Sequence, residues 1–174
     1  MKVLSLALVA ATAMGLQAQD VRFGVQATLN QPQSDLKDAV DSKLGFGVGA
    51  HALVDFGSGH ALRPRVDYLW FPEFKPAPGV SLKVNNLSVG ADYLYFVEGK
   101  QEGVFFTGGL SVNRWKAEAG YLGFGASDTT TKLGVAAGLG YQFNRNLGAE
   151  LRYQKGKAGD LDFDFIQAGA TFRF

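Results

Sequence analysis

His51 and His60 are the only histidines of this 174-residue chain, and the neighbours of His51 are the ones that suggest chemistry. A histidine set with a serine and a carboxylate can activate a hydroxyl, the imidazole taking the proton while the acid orients it. Asp55 shares an alternating face with His51 and lies deeper on it. No serine shares an outward position with a histidine, so the nucleophile and base that acyl transfer requires are not brought together. The expectation for His51 is a hydrogen-bonded core residue. His60 sits in a Gly57-Ser58-Gly59-His60 turn, where solvent is partner enough. Two isolated histidines lack the spacing of a metal site. Asp160, Asp162 and Asp164 alternate with other residues but lack the glycine and distal glutamate of a calcium loop, which leaves a solvated acidic rim. The glycines of 45–49 and 120–125 do not lie between a strand and a helix, so they are not phosphate loops. Cysteine is absent, which removes disulfides, thiolate metal sites and cysteine nucleophiles together. The expected inventory is no catalytic residue, no metal and no cofactor, and the chain is read as not an enzyme.

The elements that carry these residues have period two. Segments 21–29, 44–56, 62–70, 87–95, 104–113, 132–143, 147–154 and 166–174 each set an apolar or aromatic face against a polar or glycine-rich one. Eight is an even number, and most segments are close to the nine to eleven residues that a tilted spanning strand needs. Short turns at 57–60, 97–102 and 144–146 alternate with longer polar stretches at 30–43, 71–83, 116–131 and 156–161. That is the asymmetry of periplasmic turns and extracellular loops. With both termini on the short-turn side, Phe23, Phe56, Tyr93, Tyr95, Phe106, Tyr141, Phe143, Phe172 and Phe174 fall near one rim, and Phe46, Tyr68, Trp70 and Tyr153 near the other. Such sorting by height matches the aromatic girdles of membrane barrels. Pro64 removes a ladder donor from the third segment and suggests a bulge.

The two ends agree with this reading. Met1-Lys2, the apolar stretch 3–13 and the small residues before Gln19 predict a secretory signal peptide over residues 1–18, leaving 19–174 as one domain. After Lys2 is removed, sixteen basic side chains face sixteen acidic ones, so no charge excess points to nucleic acid. Beyond the leader no apolar run reaches helical spanning length, so a membrane can be crossed only by a closed sheet. The final octad runs Gln167, Gly169, Phe172 and Phe174 in the order polar, glycine, aromatic, terminal aromatic. It resembles the signal by which outer-membrane β-barrels are recognised by their assembly machinery. Together with the stretch 138–143 and Leu147-Gly148-Ala149-Glu150-Leu151-Arg152-Tyr153, the whole mature chain is similar to the small outer-membrane β-barrel family that includes the OmpA transmembrane domain and OmpX.

The resemblance implies an all-β fold, an eight-stranded antiparallel up-and-down transmembrane barrel in the outer membrane of a diderm bacterium. It also implies outer-membrane lipid, lipopolysaccharide, the barrel-assembly machinery and periplasmic chaperones as partners, and a monomer. The polar face carries Arg22, His51, Asp55, Arg63, Arg65, Asp67, Asp92, Lys132, Glu150, Arg152 and Arg173. In so narrow a barrel these would pair as a plug, because an unpaired charge in a tight interior is costly. The expected role is structural and surface-interacting, through loops that expose apolar groups at 36–40, 74–80 and 121–124. Arg114 and Lys116 at the outer rim are placed to meet lipopolysaccharide phosphates or to snorkel. The alternatives are a small channel and, since some barrels of this size modify lipid A, a lipid-modifying enzyme. A soluble lipocalin barrel would reverse the faces, but the girdle sorting and the absence of an early Gly-x-Trp argue against it.

Overall fold

The computed structural model describes residues 20–75, 77–121, 124–158 and 161–174. The leader read over 1–18, Leu122 and Gly123 of the third exposed loop patch, and Asp160 lie outside the described residues. Alternation becomes strand: β1 (Asp20–Pro32), β2 (Gly45–Gly57), β3 (His60–Trp70), β4 (Val80–Phe96), β5 (Gly103–Tyr121), β6 (Phe124–Gln142), β7 (Leu147–Ala158) and β9 (Phe165–Arg173). Helix α1 (Ser34–Ala39) interrupts the connection from β1 to β2, and a two-residue strand β8 (Leu161–Asp162) folds back on the end of β7. From β1 to β7 each strand hydrogen-bonds antiparallel to the next, and β9 closes the ring by pairing with both β1 and β7. The result is a ring of eight with β8 outside it. Closure pairs the edge groups that a membrane cannot solvate.

The face assignment follows the apolar residues outward. Val25, Leu29, Val48, Val66, Leu110, Leu133 and Leu151 are exposed on the wall, while the alternate positions of the same strands are buried. Aromatic side chains assigned to the two girdles all lie on this exposed face. Phe106 pairs with Tyr95 at the level of the short turns, and Phe46 pairs with Trp70 at the level of the long loops, ring centroids 6.3 Å apart.

Two expectations are corrected. The polar stretch 116–131 is strand up to the hairpin tip: β5 and β6 stay paired from Gly103↔Gln142 to Tyr121↔Phe124, and β4 follows β5 as far as Val80↔Tyr121. Above the membrane both faces of a sheet meet water, so the apolar alternation that marks a spanning strand is lost there. Pro64 makes no bulge. The β2–β3 register is the same on either side of it, His51↔Arg65 and Val54↔Leu62, and the shift falls instead between Asp55 and Gly57, beside the turn.

Candidate functional site

The interior is filled in three layers. In the middle, Asp92 of β4 accepts hydrogen bonds from Arg63 at 2.9 Å, Arg65 at 3.0 Å and Arg152 at 2.7 Å. Arg63 also donates across the lumen from β3 to Glu150 of β7, at 2.7 Å. Arg65 reaches Asp67, Asp67 accepts from Gln26 of β1, and Arg152 donates to Gln167 of β9. Arg63, Arg152 and Asp92 are at most 1 % exposed. Removing such charges from water is expensive, and each arginine recovers part of that cost by charge-assisted bonds: Arg63 sets Nε and a terminal nitrogen on Asp92, Arg65 bonds both Asp92 and Asp67, and Arg152 adds a fork on the Gln167 amide to its bond with Asp92. Glycine makes the packing feasible, because a Cβ at Gly49 would overlap the Asp67 carboxylate and one at Gly109 that of Asp92.

The structure sorts the residues of the polar face. Arg63, Arg65, Asp67, Asp92, Glu150 and Arg152 come together. Arg22 is half-buried at the rim and pairs with Asp20 at 2.9 Å. Asp55 accepts from the backbone of Gly57 in the neighbouring turn. Lys132 is exposed: it has inward parity, but β7 pairs with β6 only from Gly134, so no wall faces it. His51 and Arg173 point inward and are buried, yet neither side chain has a hydrogen-bond partner among the described residues. The hydrogen-bonded core histidine expected at position 51 is therefore not observed. His60 is also corrected, since its Nδ1 meets the Tyr93 hydroxyl and its ring lies 5.1 Å from that of Tyr95.

Apolar layers lie above and below the charged one. Leu53, Ala61, Leu94, Phe96 and Phe105 form a floor at the short-turn end, where Phe96 and Phe105 rings are 5.1 Å apart. At the other end Leu36 and Val40 of the α1 region drop onto Leu69, Phe71, Val84, Trp115, Phe163 and Phe165. Trp115 meets Phe163 edge-on at 5.0 Å. Asp164, expected in a solvated rim, is buried and clasps this roof: it accepts from Tyr153 at 2.9 Å, from Ser34 at 3.2 Å and from the Gly156 backbone at 3.2 Å. Asp162 donates its backbone N–H to Asp35 at 2.7 Å and Gln33 donates its backbone N–H to the Asp164 carbonyl at 2.8 Å, so with the Ser34 bond the first and fourth loops are tied three times. The signal for both layers was present as Leu53, Leu69, Leu94 and Phe105, apolar residues on an otherwise polar face.

The outer rim is the other candidate surface. Lys83 of β4, Arg114 and Lys116 of β5, and Lys155 and Lys157 of β7 are exposed on strand positions that continue the lipid-facing parity above the girdle. Lys116 bonds Glu118, which holds that carboxyl below the ordinary carboxylate range. Lys157 lies 3.5 Å from Asp162 and Lys83 3.8 Å from Glu73. Arg114 and Lys155 have no such partner among the described residues.

Comparison with known proteins places this geometry. The model of the outer membrane protein beta-barrel domain family matches residues 3–174. No curated protein matches. Among solved structures, Ail, the attachment invasion locus protein of Yersinia pestis, is similar with a TM-score of 0.66 at 19% identity, over 88% of this chain and 97% of that one. Neisserial surface protein A is similar with a TM-score of 0.62 at 22% identity, over 88% and 97%. The N-terminal barrel domain of Pseudomonas aeruginosa OprF gives 0.61 at 12% identity, over 91% and 100%.

Proposed function

The chain belongs to the outer-membrane β-barrel family, and from that premise we propose that it is a closed, non-enzymatic barrel of the diderm outer membrane whose rim and loops engage the surface side. One observation carries the reading: the lumen is occupied by cross-linked side chains between an apolar floor and an apolar roof. A side-chain-filled interior suits a scaffold more than a conduit. What such a scaffold offers is its exterior, the β4–β5–β6 sheet standing beyond the barrel and the loops tied around Asp164. Similar barrels support this by precedent, one carrying attachment in its name and having been crystallised with the heparin analogue sucrose octasulfate.

Lipopolysaccharide is the proposed rim partner, because Arg114, in register with the girdle residue Tyr68 through Leu87, and Lys155, two residues beyond Tyr153, are exposed with no ion-pair partner among the described residues, where phosphate groups would meet guanidinium and ammonium donors. Residues 1–18 are proposed as a cleaved leader, and Gln167, Gly169, Phe172 and Phe174 as the segment read by the assembly machinery, with periplasmic chaperones escorting a monomeric chain. Catalysis is not proposed, since His51 faces the lumen and neither of its ring nitrogens has a hydrogen-bond partner among the described residues.

The rim partner is tested by flotation of the purified barrel with lipopolysaccharide vesicles against vesicles of uncharged phospholipid. The Arg114→Gln, Lys155→Gln double variant is expected to lose about tenfold in preference for lipopolysaccharide, on the order of 1 kcal/mol, with folding unchanged. An unaltered preference would remove these two residues from the proposal. Lipid A mass spectra that change on expression would overturn the non-enzymatic reading.

A further inference from the structure

The lower half of the lumen carries one positive charge too many. Buried there and in the middle layer are Arg63, Arg65, Arg152 and Arg173 against Asp67, Asp92 and Glu150. The three carboxylates are engaged by the first three arginines. Arg173 is left with Nε and both terminal nitrogens unbonded among the described residues, although it is only 1 % exposed. Its guanidinium carbon lies 5.9 Å from the centre of the Phe96 ring, so it reaches over the apolar floor. A ring face moderates a buried cation but does not replace the hydrogen bonds water supplied.

His51 meets it from the other side. Gly24 of β1 pairs with His51 of β2 and with Arg173 of β9, which puts the three residues in one row across the wall, all facing inward. A Cβ at Gly24 would come within 2.6 Å of His51 Nε2, so the imidazole lies over the gap that the glycine leaves. Both ring nitrogens are without a partner among the described residues, and the residue is 5 % exposed. The Arg173 guanidinium and the His51 imidazole, whose ring fills the space over Gly24, thus stand in one row with their nitrogens unmatched among the described residues, and Glu150 is the buried acid whose charge reaches both without bonding either.

We propose that Arg173 and His51 form an internal site for a small inorganic anion of chloride size. The lumen of an eight-stranded barrel is only wide enough for side chains, which excludes a phosphorylated lipid or a peptide carboxylate and admits a single-atom anion. Supply comes from the short-turn end, where a depression of about 350 Å³ is lined by Arg22, Arg145 and Arg173, with Asp20 as its acidic side chain. The anion neutralises the surplus guanidinium and accepts the donors that the protein leaves unmatched, so it is a structural ligand of the folded barrel.

Bromide is the probe. Crystals of the barrel purified from outer membranes and grown in bromide are expected to show an anomalous peak between the Arg173 guanidinium and the His51 ring. Peaks confined to exposed basic residues, or density in which Arg173 bonds Glu150 instead, would overturn the site. In solution, exchanging gluconate for bromide at constant ionic strength should shift the unfolding equilibrium about tenfold toward the folded state when bromide is at ten times its dissociation constant. Arg173→Gln should abolish that dependence, whereas Arg145→Gln, on the open depression, should retain it. Equal stability of the wild type in the two salts contradicts the proposal without reference to any variant.

Discussion

Asp92 is the residue on which the charged layer converges, one carboxylate oxygen facing Arg63, Arg65 and Arg152. Asp92→Asn keeps the shape and removes the charge, leaving three buried arginines with one carboxylate fewer. Breaking a buried pair in this way costs about 3–5 kcal/mol, and the loss is expected as a lower unfolding midpoint in urea with the barrel reconstituted in lipid. A change below about 1 kcal/mol would mean that the layer tolerates an uncompensated charge. Six members of this layer could be read from inward parity alone, since alternation tells which face a strand residue occupies. Parity does not tell height or what stands opposite. Lys132 has the right parity but rises above the point where β7 leaves β6, and Arg22 and Asp55 find partners at the rim. Gln26 and Gln167, which complete the hydrogen-bonding, share the inward parity, but parity alone does not single out uncharged amides as partners of the charged residues.

At the scale of elements, the β5–β6 hairpin is two structures in one. Below Gly134 strand β6 has neighbours on both sides, and above it β6 pairs with β5 alone. Replacing 117–128 with an Asn-Gly turn would join Lys116 to Thr129, a pair already in register. The trimmed protein is expected to keep the slower or faster gel migration of the unboiled barrel relative to the boiled one, because no ring-closing pair is removed. Loss of that shift would show that the extension is needed for closure. The spanning parts of all eight strands were legible because lipid and lumen solvate their faces differently. The extension was not, since residues 116–131 meet water on both sides. The roof was only half visible: Leu36 and Val40 sit in a loop by sequence, and only tertiary packing shows that α1 turns them down onto Trp115 and Phe163.

The same packing makes a separable prediction for the roof. Leu36→Asp places a charge among Leu69, Phe71 and Phe165 and should release the first loop, seen as faster proteolysis after Lys37 or Lys43 in intact cells. Protection equal to wild type would mean that α1 is held by the Asp164 and Asp35 contacts alone.

For the whole molecule, fold and compartment rest on closure, outward apolar faces and the family match, while the surface role rests on what fills the lumen. A barrel that conducts would need a continuous water path past Leu94, Phe96 and Phe105, then Arg63, Asp92, Glu150 and Arg152, then Leu36 and Trp115. Each layer blocks independently, so opening the roof alone should not create a pore. Planar-bilayer recording of the purified wild-type barrel tests this most directly. The expected trace is flat, with no unitary steps for wild type or for Leu36→Asp. Reproducible stepwise conductance from the wild type, abolished when Arg65 and Asp67 are replaced by bulky neutral residues, would contradict the closed scaffold and favour a small channel.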